Sequence, residues 1–230
     1  MNHIVIDLEM NTTPKENGMK NELIEIGAVK LDENLEEIDT FHTYVKAVNG
    51  PITAIITELT GISQKDIENA PFFCDAMDSF IAWAGETETV FYSWSNCDKK
   101  QFEYESEYKN YSNDRFNYML ENWVDIQAEY DRIIGTGHTV ALDNALKSAG
   151  VEPKGVPHTA LGDAVNTAEI LKIIKDENKT RERLGNLIDM FKHKEITSSL
   201  AEMFPEMVNY LVRDEELARQ KAESEDKEDK

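Results

Sequence analysis

The sequence predicts an α/β domain, a mixed β-sheet flanked by helices, followed by a C-terminal helical extension. Three observations carry this. Strand-like runs occupy residues 4–10, 23–31 and 37–45 with no helical stretch between them, which predicts an antiparallel start to the sheet. Beyond residue 50, apolar residues recur at helical spacing and alternate with further short strand-like runs. Past residue 176 this alternation gives way to helix-like stretches and then to a charged terminus with almost no apolar residue after Leu217. The expected organisation is a core domain over residues 1–176, a helical extension over 177–212, and a charged tail over 213–230 that is expected to be disordered.

The first run, Ile4-Val5-Ile6-Asp7-Leu8-Glu9-Met10, leads three apolar residues into two acids one residue apart. Side chains alternate along a strand, so Asp7 and Glu9 share a face. A polar connection with Pro14 and Gly18 follows, then LIEIGAVKL and EIDTFHTYV joined by the short link DENLEE, the pattern of a hairpin or meander. Pro51 opens a helical passage closed by Gly61, and a second short helix is expected near residues 63–69. After Pro71, Phe73, Ala76, Met77, Phe80 and Ile81 recur at helical spacing. Thr89–Trp94 reads as a strand, Cys97–Tyr108 as a helix, and 123–134 as a short strand passing into a helix. A helix over Ala141–Ala149 is stopped by Gly150. His158 introduces a last core helix whose Leu161, Ala164, Val165, Ala168 and Leu171 form a stripe for packing on a sheet. Helices are also expected at 180–192 and 198–212.

The 230 residues carry a net charge of −21. Proteins that grip long nucleic acids usually do so through basic patches, because phosphate neutralisation supplies most non-specific affinity. A chain this acidic repels a polyanion at long range, so any nucleic acid it handles is expected to touch it over a short segment. Bound cations and a few local bases such as Lys99 and Lys100 would carry that contact. The first apolar run contains Asp7, which argues against a signal peptide, and no apolar span is long enough for a membrane helix. Cys74 and Cys97 fit no disulfide framework or zinc pattern and read as free thiols, so a cytoplasmic location is expected.

Two carboxylates on one face of a buried strand repel each other and lose solvation, which a divalent cation relieves. The plainer alternative is a strand that ends in solvent with both acids wet. Asp98 follows a strand, at the sheet end where open α/β folds place their sites, though an acid at a helix N-terminus is also common. In PHTALGDAV, Pro157 fixes the approach to His158, and Asp163 falls at the margin of the buried helix face. An imidazole there suits a general base, while a loop histidine beside a surface acid is the ordinary alternative. His3, His42, His138 and His193 have no acidic companion at a suggestive spacing and read as structural or solvated.

Taken together, Asp7-x-Glu9 in the first strand, Asp98 after a later one, and His158-x4-Asp163 opening the last core helix resemble the DEDDh-type 3′→5′ exonucleases of the ribonuclease H-like fold. IVIDLEMN, ELIEIGAVKL, TELTGIS, VFYSWSNCDKKQF and HTALGDAVNTAEIL look closest to the ERI-1/KapD-like branch, over about residues 1–176. The resemblance implies that Asp7, Glu9 and Asp163 ligate one Mg²⁺ or Mn²⁺. It implies that Asp7 and Asp98 serve a second ion, and that His158 is the general base. The implied substrate is the 3′ end of single-stranded RNA or DNA, RNA favoured, released as nucleoside 5′-monophosphates. A proofreading-type DNA exonuclease and a catalytically idle binding module are the alternatives.

Met10 and Asn11 stand beside the expected terminal nucleotide, where many relatives carry other residue types. Trp94 and Phe102 are candidates to stack a base, with core packing the preferred reading for both. Glu25, on the strand parity of Leu23 and Gly27, is either an acid that supports the metal ligands from behind or a solvated edge residue, the latter being preferred. The C-terminal extension is a candidate surface for a protein partner, and the oligomeric state is left open.

Overall fold

The computed structural model describes residues 1–12 and 21–192. The expected polar connection with Pro14 and Gly18, the helix at 198–212 and the charged tail lie outside the described residues. Met1–Gly185 form one compact unit, and a second unit begins at Asn186. Of that second unit, residues 186–192 are described, and they are helical.

Among the described residues, five strands form one sheet: β1 (Asn2–Thr12), β2 (Asn21–Leu31), β3 (Glu37–Tyr44), β4 (Thr89–Ser93) and β5 (Trp123–Asp125). Their order is β3-β2-β1-β4-β5. The first three strands pair antiparallel, as their uninterrupted succession predicts, and β4 and β5 add in parallel after helical crossovers. The helices are α1 (Ala54–Thr60), α2 (Gln64–Ile67), α3 (Phe73–Ala84), α4 (Cys97–Tyr108), α5 (Asp114–Glu121), α6 (Ile126–Ile134), α7 (Leu142–Ser148), α8 (Ala160–Ile174) and α9 (Glu177–Lys192). Helix α5 is absent from the sequence reading. Its local signal is Asn113, whose side chain caps the N–H groups of Arg115 and Phe116, with Phe116 and Met119 buried one turn apart.

Alternation along β1 assigns the two faces. Ile4, Ile6 and Leu8 join Ile26 and Ala28 of β2 in a core with Phe73, Met77 and Phe80 of α3, Phe102 of α4, and Phe116 and Met119 of α5. The other face carries Asp7 and Glu9 and is covered by α8, which packs on β1 and β2. The buried side of α8 is wider than the expected stripe. Ala160, Ala164, Thr167, Ala168, Ile170 and Leu171 are buried, whereas Leu161 and Val165 are half-buried. Alanines at the contact bring the helix close to the sheet, and Gly27 brings it closer still. A Cβ at Gly27 would stand 2.1 Å from the Leu161 nitrogen and 2.2 Å from the Ala160 carbonyl carbon.

The β1–β2 register breaks between Glu9 and Met10, where Glu9 faces Glu25 and Met10 faces Leu23. The extra residue, Ile24, is a β-bulge in β2. It corrects the expected parity of the second strand. Leu23 turns into the core with Ile26, while Glu25 faces the same side as Asp7 and Glu9. Glu25 is 2% exposed, so it is not a solvated edge residue.

Candidate active site

Strand pairing and helix placement together converge three acids. Oxygens of Asp7 and Glu9 from β1 and of Asp163 from the first turn of α8 all lie within 4.8 Å of one another. Among the described residues, no lysine or arginine forms an ion pair with them. Burial, and then the charges of Asp98, Asp163, Glu9 and Glu25, push Asp7 well above the usual carboxylate range. Glu9 rises to about 8 through burial and the charges of Glu25, Asp163 and Asp98. Burial also raises Asp163, against a lowering influence from His158. Three crowded carboxylates with elevated proton affinity and, among the described residues, no lysine or arginine in an ion pair with them form an all-oxygen donor set. Such a set fits a hard divalent cation.

Asp98 stands outside that trio, in the first turn of α4. Its Oδ1 accepts the Leu8 N–H at 3.2 Å, which places its charge beside Asp7. Burial lifts Asp98 to about 7, while hydrogen bonds from its own N–H and that of Leu8 pull the other way. Lys99 and Lys100 follow it. Lys99 lies 3.7 Å from Glu103, and Lys100 is exposed.

His158 is exposed, with φ of 59°. Left-handed backbone is uncommon outside glycine and concentrates at functional positions. The loop that carries it is held from α8 by Asn166, whose amide bonds the N–H and the carbonyl of Lys154 at 2.8 and 3.2 Å. Thr159 caps the helix by accepting the Gly162 N–H. The His158 N–H and charge both act on Asp163.

The expected nucleotide contacts fare differently. Met10 is half-buried next to Glu9. Asn11 is 1% exposed, and its amide is committed to the Pro51 carbonyl at 3.1 Å and the Thr53 N–H at 3.2 Å. That side chain anchors the approach to α1 to the end of β1, which removes it as a free base contact. Trp94 is 8% exposed and packs on Tyr130 of α6 with ring centroids 5.9 Å apart. Phe102 is fully buried in the core. Core packing therefore accounts for both rings, and neither is a stacking platform.

Two residues whose partners the sequence does not reveal, Glu25 and His42, belong here. Glu25 accepts the Ala160 N–H at 2.9 Å, and its other oxygen lies 2.6 Å from His42 Nε2. His42 thus has the acidic companion that its position in the chain did not suggest. The pairing emerges only from strand register, with Gly27 opposite His42 and Glu25 opposite Glu9.

Residues 4–171 match the RNase T family, described as exonuclease. ERI1 exoribonuclease 2 of Danio rerio is 29% identical over 188 residues, covering 72% of this chain and 33% of the relative. ERI1 exoribonuclease 3 of Homo sapiens is 25% identical over 181 residues, covering 74% and 52%. The chain therefore spans about a third to a half of the length of these curated relatives. The nuclease domain of 3′hExo, a DEDDh family member bound to rAMP, matches with a TM-score of 0.66 at 24% identity, over 74% of this chain and 90% of that one. The likeness is one of fold, and the expected ribonuclease H-like architecture is the observed one.

Proposed function

Because the chain belongs to the RNase T exonuclease family, we propose that it is a metal-dependent 3′→5′ exonuclease of DEDDh, ERI1-like type. Its proposed substrate is single-stranded RNA or an RNA 3′ overhang. The observation that carries this reading is the convergence of Asp7, Glu9 and Asp163 within 4.8 Å. Asp98 is fastened beside them through Leu8, and His158 adjoins Asp163.

In this reading Asp7, Glu9 and Asp163 hold one Mg²⁺ or Mn²⁺, and Asp7 with Asp98 serves a second. Two such ions, when bound, activate water and stabilise the attacking and leaving oxygens of an in-line displacement. Asp98 keeps its place because the Leu8 N–H holds one of its oxygens. His158, on an exposed loop tied to α8, accepts the proton of the attacking water, and the product is a nucleoside 5′-monophosphate. Proton transfer to such a base is worth ~10²–10⁴-fold in rate.

The preference for RNA follows the exoribonuclease relatives. The net charge of −21 supports contact limited to the last few nucleotides. Residues 1–176 are the proposed catalytic domain, and the extension over 177–212 is a proposed docking element for a protein partner.

The test is chromatographic. Single-stranded RNA and DNA of one sequence are incubated with Mg²⁺, with Mn²⁺ and with EDTA, and the released products are identified. Nucleoside 5′-monophosphates from RNA, formed only with metal, fit the proposal. Faster release from DNA would replace the RNA assignment, and no release from either strand would favour a binding module.

A further inference from the structure

We propose that Glu25, buttressed by His42, is a positioning residue that seats the first turn of α8 against the strand carrying Asp7 and Glu9. Its catalytic consequence rests on the exonuclease reading above; its structural consequence does not.

Glu25 stands directly across the β1–β2 ladder from Glu9 and is 2% exposed. By position it should join the carboxylate cluster, yet the group that converges is Asp7, Glu9 and Asp163. The hydrogen bonds explain the difference. One Glu25 oxygen accepts the Ala160 N–H at 2.9 Å, and the other meets His42 Nε2 at 2.6 Å. The first N–H groups of a helix have no partner within it. Ala160 is fully buried, and α8 begins directly over Gly27, so water does not serve that N–H. A carboxylate supplies both the acceptor and the negative charge that a helix N-terminus favours.

The leverage is short. Ala160 lies two residues after His158 and three before Asp163, so whatever fixes its N–H fixes the turn that presents both. The rest of the junction is independently secured. Thr159 caps Gly162, and Asn166 holds Lys154. Losing Glu25 therefore displaces the turn while leaving the helix folded. His42, paired from β3 across Gly27, holds the second oxygen and so keeps this fourth acid from turning toward Glu9.

The experiment compares wild type, Glu25→Gln, Glu25→Ala and His42→Ala by Mn²⁺ titration calorimetry and by steady-state cleavage of a short RNA. Glutamine retains an acceptor for Ala160, so Glu25→Gln is expected to stay within about three-fold of wild type in Mn²⁺ affinity and kcat. Glu25→Ala is expected to lose ~10–100-fold in both, the usual cost of removing a group that orients metal ligands, with KM nearly constant. His42→Ala, at an exposed position, is expected to fold and to show a smaller loss in the same direction. It decides the matter if Glu25→Ala does not fold.

Two results overturn the proposal. One is the loss of a bound ion in Glu25→Gln, which would make Glu25 a ligand. The other is unchanged Mn²⁺ affinity in Glu25→Ala and His42→Ala, which would leave the pair a purely structural one. If the wild-type chain cleaves nothing, the exonuclease reading fails, and the calorimetry still decides whether Glu25 positions the metal site.

Discussion

The Oδ1 atom of Asp98 accepts the Leu8 N–H at 3.2 Å, fastening the first turn of α4 to the strand residue between Asp7 and Glu9. An amide oxygen can accept the same bond, so Asp98→Asn separates geometry from charge. The variant is expected to melt at or slightly above the wild-type temperature, because burial already disfavours the charged form. Turnover is expected to fall by roughly 10²–10³-fold, the scale of losing one electrostatic group from a preorganised site. Thermal melts run beside kcat decide it, and wild-type turnover would remove Asp98 from the metal chemistry.

Much of this was legible from sequence, and what was not has a common cause. Asp7 and Glu9 share a face by strand alternation alone, and His158 with Asp163 fall within one loop-to-helix junction. Local period and turn chemistry are enough for both. Glu25 and His42 were misread because their meaning lies in register. A single bulge at Ile24 separates Glu25 from the parity of Leu23, and no local pattern announces it. Asn11 and Trp94 pose the opposite difficulty. Their composition suggests recognition, while the loop at Pro51 and the ring of Tyr130 use them up.

His158→Ala isolates the base. Turnover is expected to fall ~10²–10⁴-fold, while Mn²⁺ affinity measured by calorimetry stays near that of wild type, because the histidine lies outside the three-carboxylate group. Unchanged turnover would end the general-base assignment.

The crowded acids link stability to pH. Asp7, Glu9, Asp98 and Asp163 all have folded-state pKa values above their ordinary range, Glu9 near 8 and Asp98 near 7. Between the ordinary carboxylate range and those values, the folded state binds more protons than the unfolded one. Stability of the metal-free protein must therefore fall as pH rises from about 5 to about 8. A divalent cation binds the deprotonated site, so the rise in Tm on adding Mg²⁺ is expected to be larger at pH 8 than at pH 6. Scanning fluorimetry with EDTA and with Mg²⁺ measures this, and an equal rise at both values would speak against a metal site there.

Gly27 tests the seating of α8. A methyl group there would meet backbone atoms of Ala160 and Leu161 at 2.1–2.2 Å, and backbone cannot rotate away. Gly27→Ala is expected to cost at least the ~1–3 kcal/mol of ordinary overpacking and to lower activity further by displacing Asp163. Denaturant melts and kcat, measured together, check both effects.

The most direct test is a degradation ladder. A 5′-labelled single-stranded RNA is incubated with Mg²⁺, with Mn²⁺ or with EDTA, beside the Asp7→Asn variant. The account predicts products that shorten one nucleotide at a time from the 3′ end, only with metal, and lost in the variant. Uncut RNA in both metals from folded wild-type protein, or a ladder that persists in Asp7→Asn, would contradict it.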